Sequence, residues 1–256
     1  ACQVALGLGS MRIALEEKSA EASFNLRKFA PSIPILANIG GAQLVQKNGI
    51  SGALRCIELA DADGIYIHLN ALQELLQPDG DADWRGVSAA IQEFVTESPV
   101  PVFVKEVGHG ISASSAAILV DLGVSWIDVA GAGGTSWSQI EHIRGGRKGA
   151  SAFANWGVTT KEAIESIRDK GLPCMLVGSG GLRSGLDAAK VVRIGADIAA
   201  AAQPFLEPAR TSVQQTIKVI ESWEKDFKIT MFSTGSKNLN ELRTAKLLNE
   251  RDRIEG

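Results

Sequence analysis

Cys174-Met175-Leu176-Val177-Gly178-Ser179-Gly180-Gly181-Leu182-Arg183-Ser184-Gly185 passes from a short apolar run into a glycine loop and then into a helix start. Glycines at such a turn let backbone N–H groups approach an anion, and the helix N-terminus adds partial positive charge. A turn alone needs one or two glycines and has no use for Arg183, so the stretch predicts a phosphate site at the carboxyl end of a buried strand. The next apolar run, Ile198 to Ala201, leads into Ala202-Gln203-Pro204. In (β/α)8 barrels, phosphate sits between the loops that follow the seventh and eighth strands. Upstream, Val4 to Leu6, Ile33 to Ala37, Gly64 to Ile67, Pro101 to Val104 and Trp126 to Val129 repeat the pattern, which makes seven strands in all. Amphipathic stretches alternate with them, as in parallel strands joined by crossover helices. Val87, Ala90, Ile91 and Phe94 mark one helical stripe, and Ala163, Ile164 and Ile167 mark another behind a Thr159-to-Glu162 capping box. Val213, Ile217 and Ile220 continue the period in a later helix, and Leu239 and Leu242 fall in a polar terminal one.

The position of the unusual polar residues separates a barrel from an open doubly wound sheet. Gly9, Ser10 and Arg12 follow the first run, Asn38 the second, His68 and Asn70 the third, and Lys105 and Glu106 the fourth. Gly131 to Thr135 follow the fifth, Gly178 to Arg183 the sixth and Gln203 the seventh. A Rossmann sheet concentrates ligand contacts at one switch point, whereas a barrel collects them from many strand ends. The reading is therefore α/β, a (β/α)8 TIM barrel, as one domain over residues 1–256. Seven strands leave such a barrel with open edges.

Composition agrees with a single enzyme-like domain. The chain has 256 residues, a net charge of -3 and a pI near 5.7, so it has no basic field of the kind that holds nucleic acid or an anionic membrane. Any phosphate must be bound locally. Cys2, Cys56 and Cys174 have no metal-ligand spacing and read as buried apolar thiols of a reducing compartment. No apolar run approaches a membrane span, and a cytoplasmic protein is expected.

Other constellations are weaker alone. Ala130-Gly131-Ala132-Gly133-Gly134-Thr135-Ser136-Trp137 is a second glycine-rich strand end with room for a flat ring or its tail. Gly7-Leu8-Gly9-Ser10 lacks the rest of a dinucleotide fingerprint. Lys105 closes the run Val102-Phe103-Val104, where it either serves a site or turns to solvent or Glu106. His68 and Asn70 share one strand face, and Gln73 and Glu74 follow in the loop. Asp79, Asp81 and Asp83 alternate but lack the further ligands of a calcium loop.

Together these motifs resemble the type 2 (FMN-dependent) isopentenyl-diphosphate delta-isomerases over essentially the whole chain. They are Gly-Leu-Gly-Ser-Met-Arg (7–12), Ala-Asn-Ile-Gly (37–40), His-Leu-Asn-Ala-Leu-Gln-Glu (68–74) and Val-Lys-Glu-Val-Gly (104–108), with the 130–137 stretch, Trp-Gly-Val-Thr (156–159) and the Gly178 loop. The Gln73-Glu74 pair separates this family from other FMN barrels, such as 2-hydroxy-acid oxidases. The resemblance implies interconversion of isopentenyl and dimethylallyl diphosphates in isoprenoid biosynthesis. It implies FMN, Mg2+, and NAD(P)H to reduce the flavin beforehand, with no net redox change.

By motif, Ser10, Asn38, Lys105 and Thr135 would contact the flavin ring or tail. Gly180, Gly181, Leu182, Arg183, Ala202 and Gln203 would hold its phosphate. Ser10, Arg12, His68 and Asn70 would touch the substrate diphosphate, Trp156 would wall the apolar tail, and Gln73 would approach the allylic end. Glu74 would ligate Mg2+. Gln73 and Lys105 are the catalytic candidates, with the reduced flavin as acid and base. Met11 stands where the family pattern has glutamine. The resemblance also places a segment with an Arg-Lys pair and a first barrel strand before residue 1, and a homo-oligomer, tetramer or octamer, is expected. The rival expectations are a 2-hydroxy-acid oxidase or dehydrogenase of the same barrel type and a non-catalytic flavin- or phosphate-binding remnant. The oxidase would need a strand-end His base and an arginine for a carboxylate, and neither His109 nor His142 has that setting.

Overall fold

The computed structural model describes residues 2–78 and 80–247. Its seven strands are β1 (Leu6–Gly7), β2 (Ile35–Gly40), β3 (Gly64–His68), β4 (Val102–Lys105), β5 (Trp126–Asp128), β6 (Met175–Gly178) and β7 (Ile198–Ala199). All are parallel and lie in sheet order β1 to β7, each beside its chain neighbour. An unbroken sequential order has no switch point, so this is barrel topology with seven of the eight strands, as the strand-end pattern predicts. Every strand overlaps an expected run, with its ends displaced by at most three residues.

Crossover helices Gly49–Ala60, Val87–Glu97, Ala113–Asp121, Thr160–Asp169 and Gly185–Arg193 cover one face of the sheet. In the second of these the buried residues are Val87, Ala90, Ile91 and Phe94, the expected stripe. The fourth buries Ala163, Ile164 and Ile167 and opens with the Thr159/Glu162 capping box. Each of these helices meets the sheet through Ile35, Ala37, Ile39, Ile65, Ile67, Val102, Val104, Ile127 and Leu176, which form one continuous core with the helix stripes. Burial of each large side chain there contributes about 1.5–3 kcal/mol.

Strand side chains alternate, so the intervening residues point into the lumen. Leu36, Tyr66, Phe103, Trp126, Val177 and Ala200 make a separate apolar cluster there. The Phe103 ring stacks on Trp126 at 4.8 Å and tilts against Tyr66 at 5.3 Å. This aromatic floor closes the lumen beneath the strand ends. Short helices Gly41–Leu44, Ala71–Leu76 and Trp137–Arg144 occupy the loops above it.

One expectation needs correction. Cys56 and Cys174 are buried, but Cys2 is only half-buried, because it precedes β1 rather than lying in a strand. The helix predicted from Val213, Ile217 and Ile220 exists over Val213–Ser233, yet none of its residues is fully buried. Ile217 and Ile220 are half-buried, Trp223, Phe227 and Met231 continue the same stripe, and a Cβ on Gly185 would meet the Trp223 carbonyl. Leu242, by contrast, is buried against Ala189 and Val192. Among the described residues no helix is long and apolar enough to cross a membrane.

Candidate active site

Parallel register sets the site. His68 pairs with Gly40 on one side and Lys105 on the other, and Lys105 pairs with Asp128. With Asn38 one pleat below Gly40, these side chains form a polar layer directly above the aromatic floor. Asn38 Nδ2 donates to the Leu8 carbonyl at 2.8 Å, which fixes the amide so that Oδ1 faces His68 Nδ1 at 2.8 Å. His68 therefore donates from Nδ1 and keeps a lone pair on Nε2. Burial, together with the Lys105 charge, lowers its pKa to about 3, so the ring is neutral. Lys105 is also lowered, chiefly by burial, and Asp128 and Glu106 oppose that shift. Its ammonium donates to the Glu106 carbonyl at 3.0 Å.

A second network runs along the rim. Asn70 Nδ2 donates to Glu74 Oε1 at 2.7 Å, and the Asp81 N–H donates to Glu74 Oε2 at 2.9 Å. The Asp81 carboxylate accepts from Arg12 at 3.4 Å and from the buried Gln43 at 2.8 Å. Gln73 Oε1 faces Asn70 Nδ2 at 3.3 Å, while its Nε2 donates to Glu141 at 3.3 Å. Glu141 is 2% exposed and also accepts from Gln77 and Arg144. Arg12, Asn70, Gln73 and Glu74 are thus in one connected group, linked through Asp81.

The two glycine loops pack backbone against backbone. A Cβ on Gly180, at φ 101°, would lie 2.2 Å from the Gly131 oxygen, and one on Gly181 would lie 2.5 Å from the Gly133 oxygen. Thr160 Oγ1 donates to the Ser179 and Gly180 carbonyls at 2.9 and 2.7 Å. The carbonyls are therefore committed to the protein. Among the described residues, the N–H groups of Gly180, Gly181, Leu182, Ala202 and Gln203 donate to no protein acceptor. A set of free N–H groups at two adjacent strand ends, one opening the helix Gln203–Thr211, is the donor set that a phosphate requires. FMN fits this chain on that ground. Mg2+ fits more narrowly: among the described residues no group of three or more His, Cys, Asp or Glu comes together. A lone buried Glu74 suits a cation that takes its other oxygens from a bound diphosphate.

The remaining candidates lie at the edges of this arrangement. Ser10 and Thr135 are exposed, and Ser10 precedes Met11, whose N–H bonds the Asn38 carbonyl at 2.8 Å. The Arg183 side chain is exposed and its own N–H is taken by Asp187. Trp156 is 61% exposed and lies edge-on to Phe153. Asp79 lies outside the described residues. Sequence reasoning missed Asp128 and Glu141, both buried acids. Asp128 sits two residues from Trp126 on one strand face, so strand alternation carried the signal for it.

Comparison with known proteins agrees with this geometry. The family model for FMN-dependent dehydrogenases matches residues 66–249. The chain is 44% identical over 255 residues to an isopentenyl-diphosphate delta-isomerase of Pseudescherichia vulneris, spanning 98% of this chain and 74% of that protein. It is 43% identical to one of Rickettsia bellii (95% and 72%) and 42% identical to one of a Nostoc species (94% and 70%). Among solved structures it is similar to a lactate oxidase of Pediococcus acidilactici, with a TM-score of 0.67 at 16% identity over 96% of this chain and 76% of that one. A mandelate oxidase gives 0.64 at 16% identity, over 96% and 78%. At such identity the oxidases report the shared barrel, and the isomerases report the chemistry. The chain belongs to the FMN-dependent dehydrogenase family and, within it, to the isopentenyl-diphosphate delta-isomerases.

Proposed function

We propose that the rim above the aromatic floor binds reduced FMN and a Mg2+-bound diphosphate, and there interconverts isopentenyl and dimethylallyl diphosphates. The observation that carries this reading is the single hydrogen-bonded group of Arg12, Asn70, Gln73 and Glu74 at the strand end that also bears His68. Moving a double bond in an unactivated alkene needs protonation of one carbon and loss of a proton from another, with cationic character between. Reduced FMN, primed by NAD(P)H, supplies that acid and base capacity when bound.

This chain's residues do the binding and positioning. The free N–H groups of Gly180, Gly181, Leu182, Ala202 and Gln203 take the cofactor phosphate, with Arg183 at its edge. Ser10, Asn38 and Thr135 would border the ring and tail, and Lys105 would supply a positive charge to the ring. Arg12, Ser10 and Asn70 meet the diphosphate, and Glu74 holds Mg2+ against it. His68 carries a lone pair on Nε2, so it meets an anion only after taking up a proton. Gln73 is oriented by Asn70 and Glu141 and can pass a proton but is no strong base. Trp156 covers the apolar end, where exclusion of water favours the reaction. A cytoplasmic homo-oligomer, tetramer or octamer, without nucleic-acid or membrane partners, completes the reading.

The test is anaerobic incubation of the full-length protein with FMN, dithionite, Mg2+ and isopentenyl diphosphate. Dimethylallyl diphosphate should form, and turnover should stop when either the flavin or the reductant is withheld. If full-length protein loaded with reduced flavin formed no allylic product, the assignment would be wrong.

A further inference from the structure

The polar layer contains one buried acid that the mechanism above does not use. Asp128 is 5% exposed and lies at the end of β5, next to Lys105 in the parallel register. Its Oδ1 accepts the Ser179 hydroxyl at 2.5 Å and the Ala130 N–H at 3.2 Å. These two donors are the first residues of the two glycine loops. Ala130 has φ 37°, a left-handed conformation that side chains disfavour, so its backbone is held rather than relaxed. The Tyr66 hydroxyl on β3 lies beside the same carboxylate. The other groups around Lys105 are His68 on β3 and Glu106 at its own strand end, and β6 brings only the uncharged Ser179.

We propose that Asp128 is a positioning residue for the isomerisation, anchoring both glycine loops at their first residues and supplying the counter-charge of Lys105. The proposal rests on the proposed assignment of Lys105 to the flavin. An asparagine could satisfy Ser179 and the Ala130 N–H equally well, so the negative charge answers only to Lys105. A buried charge without a partner would be strongly unfavourable, and here one lumen holds both signs. Burial pushes the Lys105 ammonium down and the Asp128 carboxyl up, and each charge opposes the other's shift.

The experiment follows the Lys105 ε-carbon in flavin-free, 13C-lysine-labelled protein against pH, with the resonance identified by its loss in Lys105→Arg. In Asp128→Asn the Lys105 midpoint should fall by about one pH unit or more, a tenfold loss of ammonium at fixed pH. Ser179→Ala, which keeps the charge, should leave the midpoint in place. In the flavin-loaded enzyme, the alkaline fall of kcat should move down with the midpoint in Asp128→Asn while KM for the diphosphate stays. An unmoved Lys105 midpoint, or an equal shift in Ser179→Ala, would overturn the proposal even if kcat dropped. Should Asp128→Asn not fold, Lys105→Met tests the same coupling from the other side. There the Asp128 carboxyl carbon should titrate at higher pH, and an unchanged midpoint again sinks the idea. The amine titration needs no turnover, so it stands or falls separately from the isomerase reading.

Discussion

His68 shows at the scale of one residue how a lumen position sets chemistry. Its ring is neutral because burial and Lys105 lower its pKa from 6.5 to about 3, while the unfolded chain keeps the ordinary value. Between those values the unfolded state binds a proton that the folded state refuses. Stability is therefore fully present above about pH 6.5 and falls with pH, by about 1.4 kcal/mol per pH unit for this one group. Urea titrations at pH 7 and pH 5 should show wild type losing about 2 kcal/mol more than His68→Gln over this interval. Equal losses would mean that His68 is not held neutral. Glu74 carries the other residue-scale prediction. With both oxygens already hydrogen-bonded, it is oriented to offer one carboxylate to a diphosphate-bound cation. Glu74→Gln should raise the Mg2+ concentration for half-maximal turnover tenfold or more and leave FMN affinity unchanged. An unaltered Mg2+ dependence would remove the metal role. Lys105 and His68 were legible in the sequence because each is a polar residue that closes or directly follows an apolar run, whereas Glu74 was singled out only as part of the His-Leu-Asn-Ala-Leu-Gln-Glu motif. Asp128 was passed over because Val129 extends its run and makes the acid look internal, although its alternation with Trp126 marks it as lumen-facing. Glu141 was hidden in a helix whose surface pattern gives no reason to single out one acid.

At the scale of elements, the glycine loops were predicted as an anion cradle, and the structure gives their glycines a second reason to exist. Gly180 and Gly181 face Gly131 and Gly133 at backbone contact distance, so the two loops form one interlocked unit, in which the Gly131 N–H donates to the Ser179 carbonyl at 2.9 Å while the Gly180 and Gly181 N–H groups meet no protein acceptor among the described residues. Side-chain-free contact of this kind cannot be read from either loop alone, since each requires the other's path. Gly180→Ala would combine a left-handed φ with a Cβ 2.2 Å from a carbonyl oxygen. The expected cost is about 2 kcal/mol or more of stability and at least a tenfold loss of FMN affinity. Gly9→Ala is the control, because a Cβ there meets nothing within 4 Å. Its melting temperature should match wild type. If Gly180→Ala binds FMN as tightly as wild type, the interlocked loops are not the phosphate site.

At the scale of the whole molecule, the strand order was legible because β-branched runs alternate with 3.6-period stripes, a pattern that survives without any tertiary information. How the curled sheet is held together was not legible. Among the described residues β1 and β7 each pair on one side only, so the sheet has two open edges. The proposed FMN contacts come from the ends of β1, β2, β4, β5, β6 and β7, and a ligand gripping all six would tie those two edges to each other. Binding to the folded state alone at 100 times Kd adds about 2.7 kcal/mol. For a chain of this size that is about 5–10 °C in melting temperature. The net charge of -3 supplies no general attraction for an anion, so the effect should depend on the local phosphate donors. Riboflavin, which has the ring and ribityl chain but no phosphate, should therefore raise the melting temperature by much less than FMN at equal concentration. Gly180→Ala should narrow that difference by weakening FMN and sparing riboflavin. Equal shifts from FMN and riboflavin in wild type would locate the binding energy in the ring and leave the Gly180 loop without its assigned task.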